Sequence, residues 1–386
     1  MPAFQPNKVQ LLCDLTFEGA WPTTVAFLGS SRRLAAGNRD GQLFIWELPD
    51  KQTKEPPPPV RFLQGHTNGI TRLRATRDGK TLVSSSLDRS VRLWDTTAPT
   101  TGSTEVVLDM KTREQEARRQ RKPEIVTKPG VKVATQTAAH VFQVHQNWVQ
   151  ALDLSGDEKR LITGDDNGMT IVWDLASRKE IARWTGYPGN WITSAALTSD
   201  GQTAFVAEFC SRRGDFDRPP AQARIYDAST GKEKLDILKV QFPNVKKRDN
   251  SYGYATTWGK FVARGFVAAD FSPDDNILAV GQGGETGTGK VHLLDSRTGK
   301  LIRSVSGHQY GVTDVQFSAD GQFVLSAGRD TSIRICRVSD GKEIAKLGKE
   351  RGGQFKDWFH AVDVSPDQQC VAAADIAGQV RVWRLG

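Results

Sequence analysis

Three histidines in this chain stand at one fixed distance from a polar turn residue. His66 precedes Asp88 by 22 residues, and the same interval separates His145 from Asn167 and His308 from Asp330. A hydroxyl side chain lies four positions before each turn residue, at Ser84, Thr163 and Ser326. Ser, His and Asp together can form a nucleophilic relay, in which imidazole takes the hydroxyl proton and the carboxylate orients the ring. Such a relay needs an exposed hydroxyl and oxyanion donors beside it. Ser84 instead ends the apolar strand pattern Thr81-Leu82-Val83-Ser84, with no oxyanion-hole motif nearby. A second chemical signal fails in a similar way. Gly284 to Lys290 has the spacing of a phosphate loop, but Val291 stands where the metal-binding hydroxyl belongs. The segment also joins two strand patterns, Ile277–Val280 and Val291–Leu294, and opens no helix whose N-terminus would hold phosphate. It reads as a hairpin. The remaining histidines, His140, His292 and His360, have no cysteine or carboxylate at metal-ligand spacing. The residues therefore predict no catalytic set, no cofactor and no metal.

The elements that carry these residues recur. Seven times a tight polar turn leads into a short apolar strand that closes on a large residue: Trp46, Trp94, Trp173, Tyr226, Leu294, Cys336 and Trp383. Trp94-Asp95, Trp173-Asp174 and Tyr226-Asp227 end in the same kind of pair. The clearest unit runs from Gly65-His66 through the turn at Asp78-Gly79 to Trp94-Asp95, alternating apolar residues between Asp and Gly turns as antiparallel strands do. From about Val9 to its C-terminus the chain resembles the WD-repeat (WD40) family of β-propellers.

That resemblance implies a fold and a job for the histidines. In the family these positions form a hydrogen-bonded tetrad, and the donor inventory explains the types: indole N–H donates, hydroxyl relays, imidazole has one donor and one acceptor, and carboxylate accepts. Trp94, Ser84, His66 and Asp88 make a complete set. His145, Thr163, Asn167 and Trp173 make a second with an amide for the acid, and His308, Ser326 and Asp330 a third that closes on Cys336. The expected architecture is all-β, a seven-bladed propeller of four-stranded antiparallel blades forming a single domain over residues 1–386. An N-terminal strand at about 8–14 is expected to close the ring onto the last blade, removing an exposed edge. The long interval between Trp94 and Trp173 is read as a charged insertion at about 98–136 within the ring, not as an eighth blade.

Binding is the remaining class. The formal net charge is +8, and the four cysteines are scattered as in a reducing compartment. The first residues lack a signal-peptide pattern and no apolar run reaches membrane-span length, so a cytoplasmic monomer is expected. Trp21, Trp148, Trp191 and Trp358 share one position, just before the first strand of a repeat, where other repeats carry Gly69, Gly265 and Gly311. In the family this position lies on the top face around the channel mouth. Tyr310 shares that face, with Arg39, Arg329 and Lys356 adding positive charge. These residue types dominate interface hot spots. The expectation is a non-enzymatic scaffold that holds a peptide or protein partner, with acidic groups paired to these cations. Two further insertions, at about 208–222 and 241–264, belong to the same face. The alternative is polyanion binding, with nucleic acid the obvious ligand, through the basic runs at 111–122 and 246–248.

Overall fold

The computed structural model describes residues 4–348 and 358–386, apart from 7, 18–20, 109–113, 115–116, 126–128, 188, 210–220, 244–264 and 285–287. The architecture is a seven-bladed β-propeller. The seven sheets begin on the innermost strands Pro22–Phe27, Ile70–Ala75, Val149–Leu154, Trp191–Leu197, Phe266–Phe271, Val312–Phe317 and Phe359–Val364. Six of the sheets have four strands. The last is completed by the N-terminal strand Val9–Thr16, which runs antiparallel to Gln379–Leu385 with Val9 opposite Leu385 and Thr16 opposite Gln379. The closing strand foreseen from the sequence is therefore in place.

The first blade departs from expectation, because it has six strands. Its outer strand Arg61–Gln64 pairs in parallel with Val131–Thr137, and that strand pairs antiparallel with Gly102–Val106. The insertion thus widens a blade instead of standing apart from the ring. Arg61 and Gln136 pin it: the guanidinium donates to the Gln136 side chain at 2.6 Å, and the Gln136 amide donates to the Asp95 carbonyl at 2.6 Å. The fourth strand of the second blade, His140–Phe142, follows the insertion and pairs with Val91–Asp95.

Local chemistry explains why the strands turn where they do. Ser155 Oγ donates to Asp157 Oδ1 at 2.6 Å and accepts the Arg160 N–H at 3.0 Å, and Asp157 also accepts the Lys159 N–H at 3.1 Å. The same hydroxyl-carboxylate clasp recurs at Thr76/Asp78, Thr198/Asp200, Ser272/Asp274, Ser318/Asp320 and Ser365/Asp367. Each clasp supplies the backbone partners that a tight turn would otherwise leave to water.

By backbone contact the chain divides into two compact units, Met1–Phe142 with Asp363–Gly386, and Gln143–Val362. Within the first, Ile70 packs so tightly against Gly37 that a Cβ there would lie 2.8 Å from Ile70 Cγ2. Within the second, Ile192 meets Gly164 in the same manner at 2.4 Å. The cores lie between neighbouring blades: Leu43, Ile45, Leu63, Ile70 and Trp94 form one cluster, and Ile162, Val172, Ile192, Val206 and Tyr226 another. Carboxylates on inner strands then lock one blade to the next. Asp153 accepts the Leu197 N–H at 2.9 Å, Asp270 that of Phe317 at 2.7 Å, Asp314 that of Val362 at 3.0 Å, and Asp363 that of Phe27 at 2.6 Å.

Candidate functional site

The polar tetrads come first, because they show which histidines are already engaged. His66 Nδ1 lies 2.7 Å from Asp88 Oδ2 and its Nε2 2.7 Å from Ser84 Oγ, while the Trp94 indole donates to the same hydroxyl at 2.9 Å. His308 is held by Asp330 at 2.9 Å and Ser326 at 2.8 Å, and the buried Cys336 follows where an indole would stand. Burial lifts the Asp88 and Asp330 carboxyls, but the imidazole bonds and the Ser90 and Ser332 hydroxyls outweigh it and hold both well below the usual carboxylate range. Ser84 and Ser326 are fully enclosed, so the relay that a hydrolase would need has no access to substrate.

The tetrad of the third blade, around His145, corrects the spacing argument. His145 Nδ1 pairs with Asp165 Oδ2 at 2.9 Å, two residues before Asn167. Thr163 accepts the Trp173 indole N–H at 3.0 Å and meets His145 Nε2 at 2.8 Å, so this set has a carboxylate after all. Asn167 instead accepts from the Asn147 side chain at 3.0 Å. The first blade has no such set: Trp46 packs against Phe17 and Phe44, and its indole nitrogen has no hydrogen-bond partner among the described residues.

In the fourth blade a charged cluster replaces the tetrad. The buried Glu208 carboxylate accepts the Tyr187 N–H at 2.9 Å, the Asn190 amide at 3.2 Å and the Arg224 guanidinium at 3.2 Å. Burial raises the Glu208 carboxyl above its ordinary value despite these donors. Sequence spacing did not reveal the cluster, because its acid, arginine and amide come from different strands and loops.

The pre-strand positions share one backbone bond. The N–H of Arg39 donates to the Trp21 carbonyl at 3.0 Å, and the same bond joins Leu87 to Gly69 at 2.8 Å, Asp166 to Trp148 at 3.0 Å, and Arg329 to Gly311 at 3.1 Å. Trp21, Gly69, Trp148 and Gly311 therefore sit on the first hydrogen-bonded rung of a blade, opposite the residue leaving the second strand, and Trp191 opens its strand opposite Phe209. Trp21, Trp148 and Trp191 are 43%, 47% and 39% exposed, while Trp358 is half-buried. In the first unit, Arg39 lies over Trp21 at 5.1 Å from the ring centroid. In the second, Arg329 lies over Trp358 at 4.4 Å. Tyr310 is half-buried with a left-handed backbone at φ 67, a conformation disfavoured for a bulky side chain. Lys356, most of the 208–222 and 241–264 insertions, and the 246–248 run lie outside the described residues. Of the other basic run, Arg118, Arg119, Arg121 and Lys122 are exposed, while Lys111 and Arg113 lie outside the described residues. The Gly284–Lys290 segment joins two antiparallel strands, Ile277–Gln282 and Thr288–Asp295, as a hairpin does.

Among the described residues no group of His, Cys, Asp or Glu could hold a metal ion, and no helix is long and apolar enough to cross a membrane. What the site offers is aromatic surface on strand ends, with charges at fixed repeat positions.

Seven blades, with enclosed His-Ser/Thr-Asp sets in three of them among the described residues, define a repeat propeller. The family model described as WD domain, G-beta repeat, matches residues 12–47, 57–95, 136–174 and 299–336. The chain thus carries WD repeats in four places, on a β-propeller fold. It is similar to autophagy-related protein 16 of Arabidopsis thaliana, 26% identical over 64% of this chain and 50% of that protein. Nuclear distribution protein nudF of Aspergillus niger is 23% identical over 88% of this chain and 52% of its own length. Striatin-4 of Homo sapiens is 22% identical over 98% of this chain and 46% of its own. The chain thus spans about half the length of these relatives. WD40 repeats and WD-repeat relatives support a protein-interaction scaffold role in general.

Proposed function

We propose that this chain is a non-enzymatic scaffold, a single propeller domain that captures a peptide or protein segment on the loops preceding its innermost strands. One observation carries the reading: three large indoles at the same repeat position are exposed by 39–47%, although each is anchored to a rigid strand end. Exposed aromatics on a preorganised framework lose little conformational freedom on binding and supply most of the contact energy at interfaces. Trp148, Trp191 and Trp358 would form the apolar anchors of the second unit, with Tyr310 and Arg329 beside them. Trp21 and Arg39 would form those of the first, and Lys356 would add charge. Arg39 and Arg329 would pair with acidic groups of the partner. We place the protein in the cytoplasm as a monomer, which suits its scattered, buried thiols Cys13, Cys336 and Cys370.

The test is affinity capture from lysate with the wild type and a Trp148→Ala/Trp358→Ala variant, at low and high salt. Capture lost only in the variant supports the aromatic face. Capture lost only at high salt, in both proteins, replaces this reading with polyanion binding through Arg118, Arg119, Arg121 and Lys122, because counterion release makes such binding steeply salt-dependent. Capture unchanged by mutation and salt overturns both.

A further inference from the structure

One loop of the second unit carries the opposite charge from its counterparts. The residue leaving the second strand is Arg39 in the first blade and Arg329 in the sixth, but Asp166 in the third. Arg329 of the sixth blade reaches the pre-strand indole of the next blade, Trp358, and lies 4.4 Å from its centroid. The corresponding pair one step round from the third blade is Asp166 and Trp191. There the repeat offers a carboxylate where its counterpart offers a guanidinium.

The carboxylate is also incompletely satisfied. Asp166 Oδ1 is enclosed and has no hydrogen-bond partner among the described residues. Its Oδ2 has only the Gln150 amide, at 3.5 Å, which is the outer limit of a hydrogen bond. The neighbouring Asp165 cannot help, since it is an acid too, and its Oδ2 is engaged by His145. An enclosed anionic oxygen without a donor leaves the carboxylate poorly stabilised, so a cation approaching the open side of this half-buried residue would relieve that cost. On either side in the repeat stand the exposed indoles Trp148, whose carbonyl takes the Asp166 N–H, and Trp191.

We propose that Asp166, Trp148 and Trp191 form a receptor for one arginine side chain of the partner segment. The guanidinium stacks on indole as Arg329 stacks on Trp358, and one of its N–H groups donates to the half-buried Asp166 at Oδ2, in place of the long Gln150 contact. A guanidinium fits better than an ammonium because it is planar, weakly hydrated and able to stack and pair at once. The inference rests on the reading that a peptide binds these loops, and it adds what that peptide must carry. The Arg329–Trp358 pair of the same unit is the template for that contact.

The experiment is a titration of the full chain, labelled with 15N at its indoles, with N-acetyl-arginine amide, and in parallel with N-acetyl-citrulline amide. Citrulline keeps the shape of arginine and lacks the charge. Saturable shifts of the Trp148 and Trp191 indole signals with the arginine amide are expected, with none that saturate for citrulline. Asp166→Asn should weaken the arginine response about tenfold or more, since the charge-assisted bond is lost. Asp166→Arg should copy the Arg329–Trp358 pair, moving the Trp191 signal without any ligand and abolishing the response. Equal responses to both amides, no saturation, or an unaltered response in Asp166→Asn would overturn the proposal. Because the probe needs no partner, the two readings fail separately. A null titration beside partner capture that depends on the tryptophans removes only the arginine receptor. A positive titration beside capture that ignores them removes only the proposed face.

Discussion

The guanidinium of Arg329 lies over the Trp358 ring at 4.4 Å from its centroid, and Trp358 is half-buried beneath it, whereas Trp148 is 47% exposed. One repeat position therefore holds two energetically different indoles. Trp358→Ala should cost about 1–2 kcal/mol of stability, from the lost stack and the apolar area uncovered. Trp148→Ala should change stability by no more than about 0.5 kcal/mol, as exposed substitutions do. Chemical unfolding of the two single variants measures both. Comparable losses would make Trp148 a packing residue and remove the basis for treating it as an anchor.

His145 depends on Asp165, not on Asn167. Asp165→Ala would leave an enclosed imidazole N–H without its acceptor at 2.9 Å and release the turn N–H groups of Asn167 and Met169. A loss of about 2–3 kcal/mol is expected, the cost of stranding a buried polar group. Asn167 is exposed, so Asn167→Ala should fall within about 0.5 kcal/mol of wild type. The ordering of the two unfolding midpoints decides the matter, and a reversed order would return the structural role to position 167.

Two fully buried indoles should respond differently to phenylalanine. Trp94 donates to Ser84 at 2.9 Å, so Trp94→Phe loses a bond in a closed network and leaves a cavity, at about 1–3 kcal/mol. Trp46 has no acceptor among the described residues. Trp46→Phe then removes an unsatisfied donor while keeping an aromatic ring against Phe17 and Phe44, and should cost at least about 1 kcal/mol less. Thermal unfolding of the pair tests this. Equal costs would mean that ring volume alone, and not the tetrad bond, sets the stability of a blade.

The fold was legible because the blades repeat a local grammar: alternating strands, a closing residue such as Trp94 and, in six of the seven, a Ser/Thr-x-Asp turn. The ring closure by Val9–Thr16 followed from counting strands. Less was visible where the third dimension chooses among near neighbours. Asp165 and Asn167 are both polar turn residues, and only the imidazole's need for a strong acceptor favours the acid, a signal present in the sequence but outvoted by spacing. The widening of the first blade was hidden because Val131–Thr137 joins Arg61–Gln64 in parallel across a long insertion, a pairing that no local turn announces. Likewise the Glu208–Arg224 contact joins two strands across a long loop. At the candidate site, the shared position of Trp21, Trp148, Trp191 and Trp358 was readable, but their differing exposure depends on what lies over each ring.

Asp166 should reveal its role through pH. Burial raises its carboxyl most, the Gln150 amide partly offsets that, and the adjacent Asp165 charge raises it again, to about 6 from an ordinary 3.8. A raised folded-state pKa means that folding favours the protonated form. Its contribution to stability is full below the ordinary carboxylate value and is lost as pH rises through about 6. Asp166→Asn has no such ionisation, so its stability relative to wild type should climb from about pH 4 to about 6 and then level off. Arginine binding runs the other way: the wild-type site needs the charged carboxylate, so affinity for N-acetyl-arginine amide should rise through about pH 6 and stay flat in Asp166→Asn. Unfolding and titration at pH 4.5 and 7.5, for both proteins, read the two slopes. Opposed slopes tie the strain at Asp166 to recognition: the ionised acid that weakens the empty fold is the form that holds the ligand. A stability difference independent of pH would show that Asp166 carries no such strain, and flat wild-type binding would show that its charge is not what the guanidinium meets.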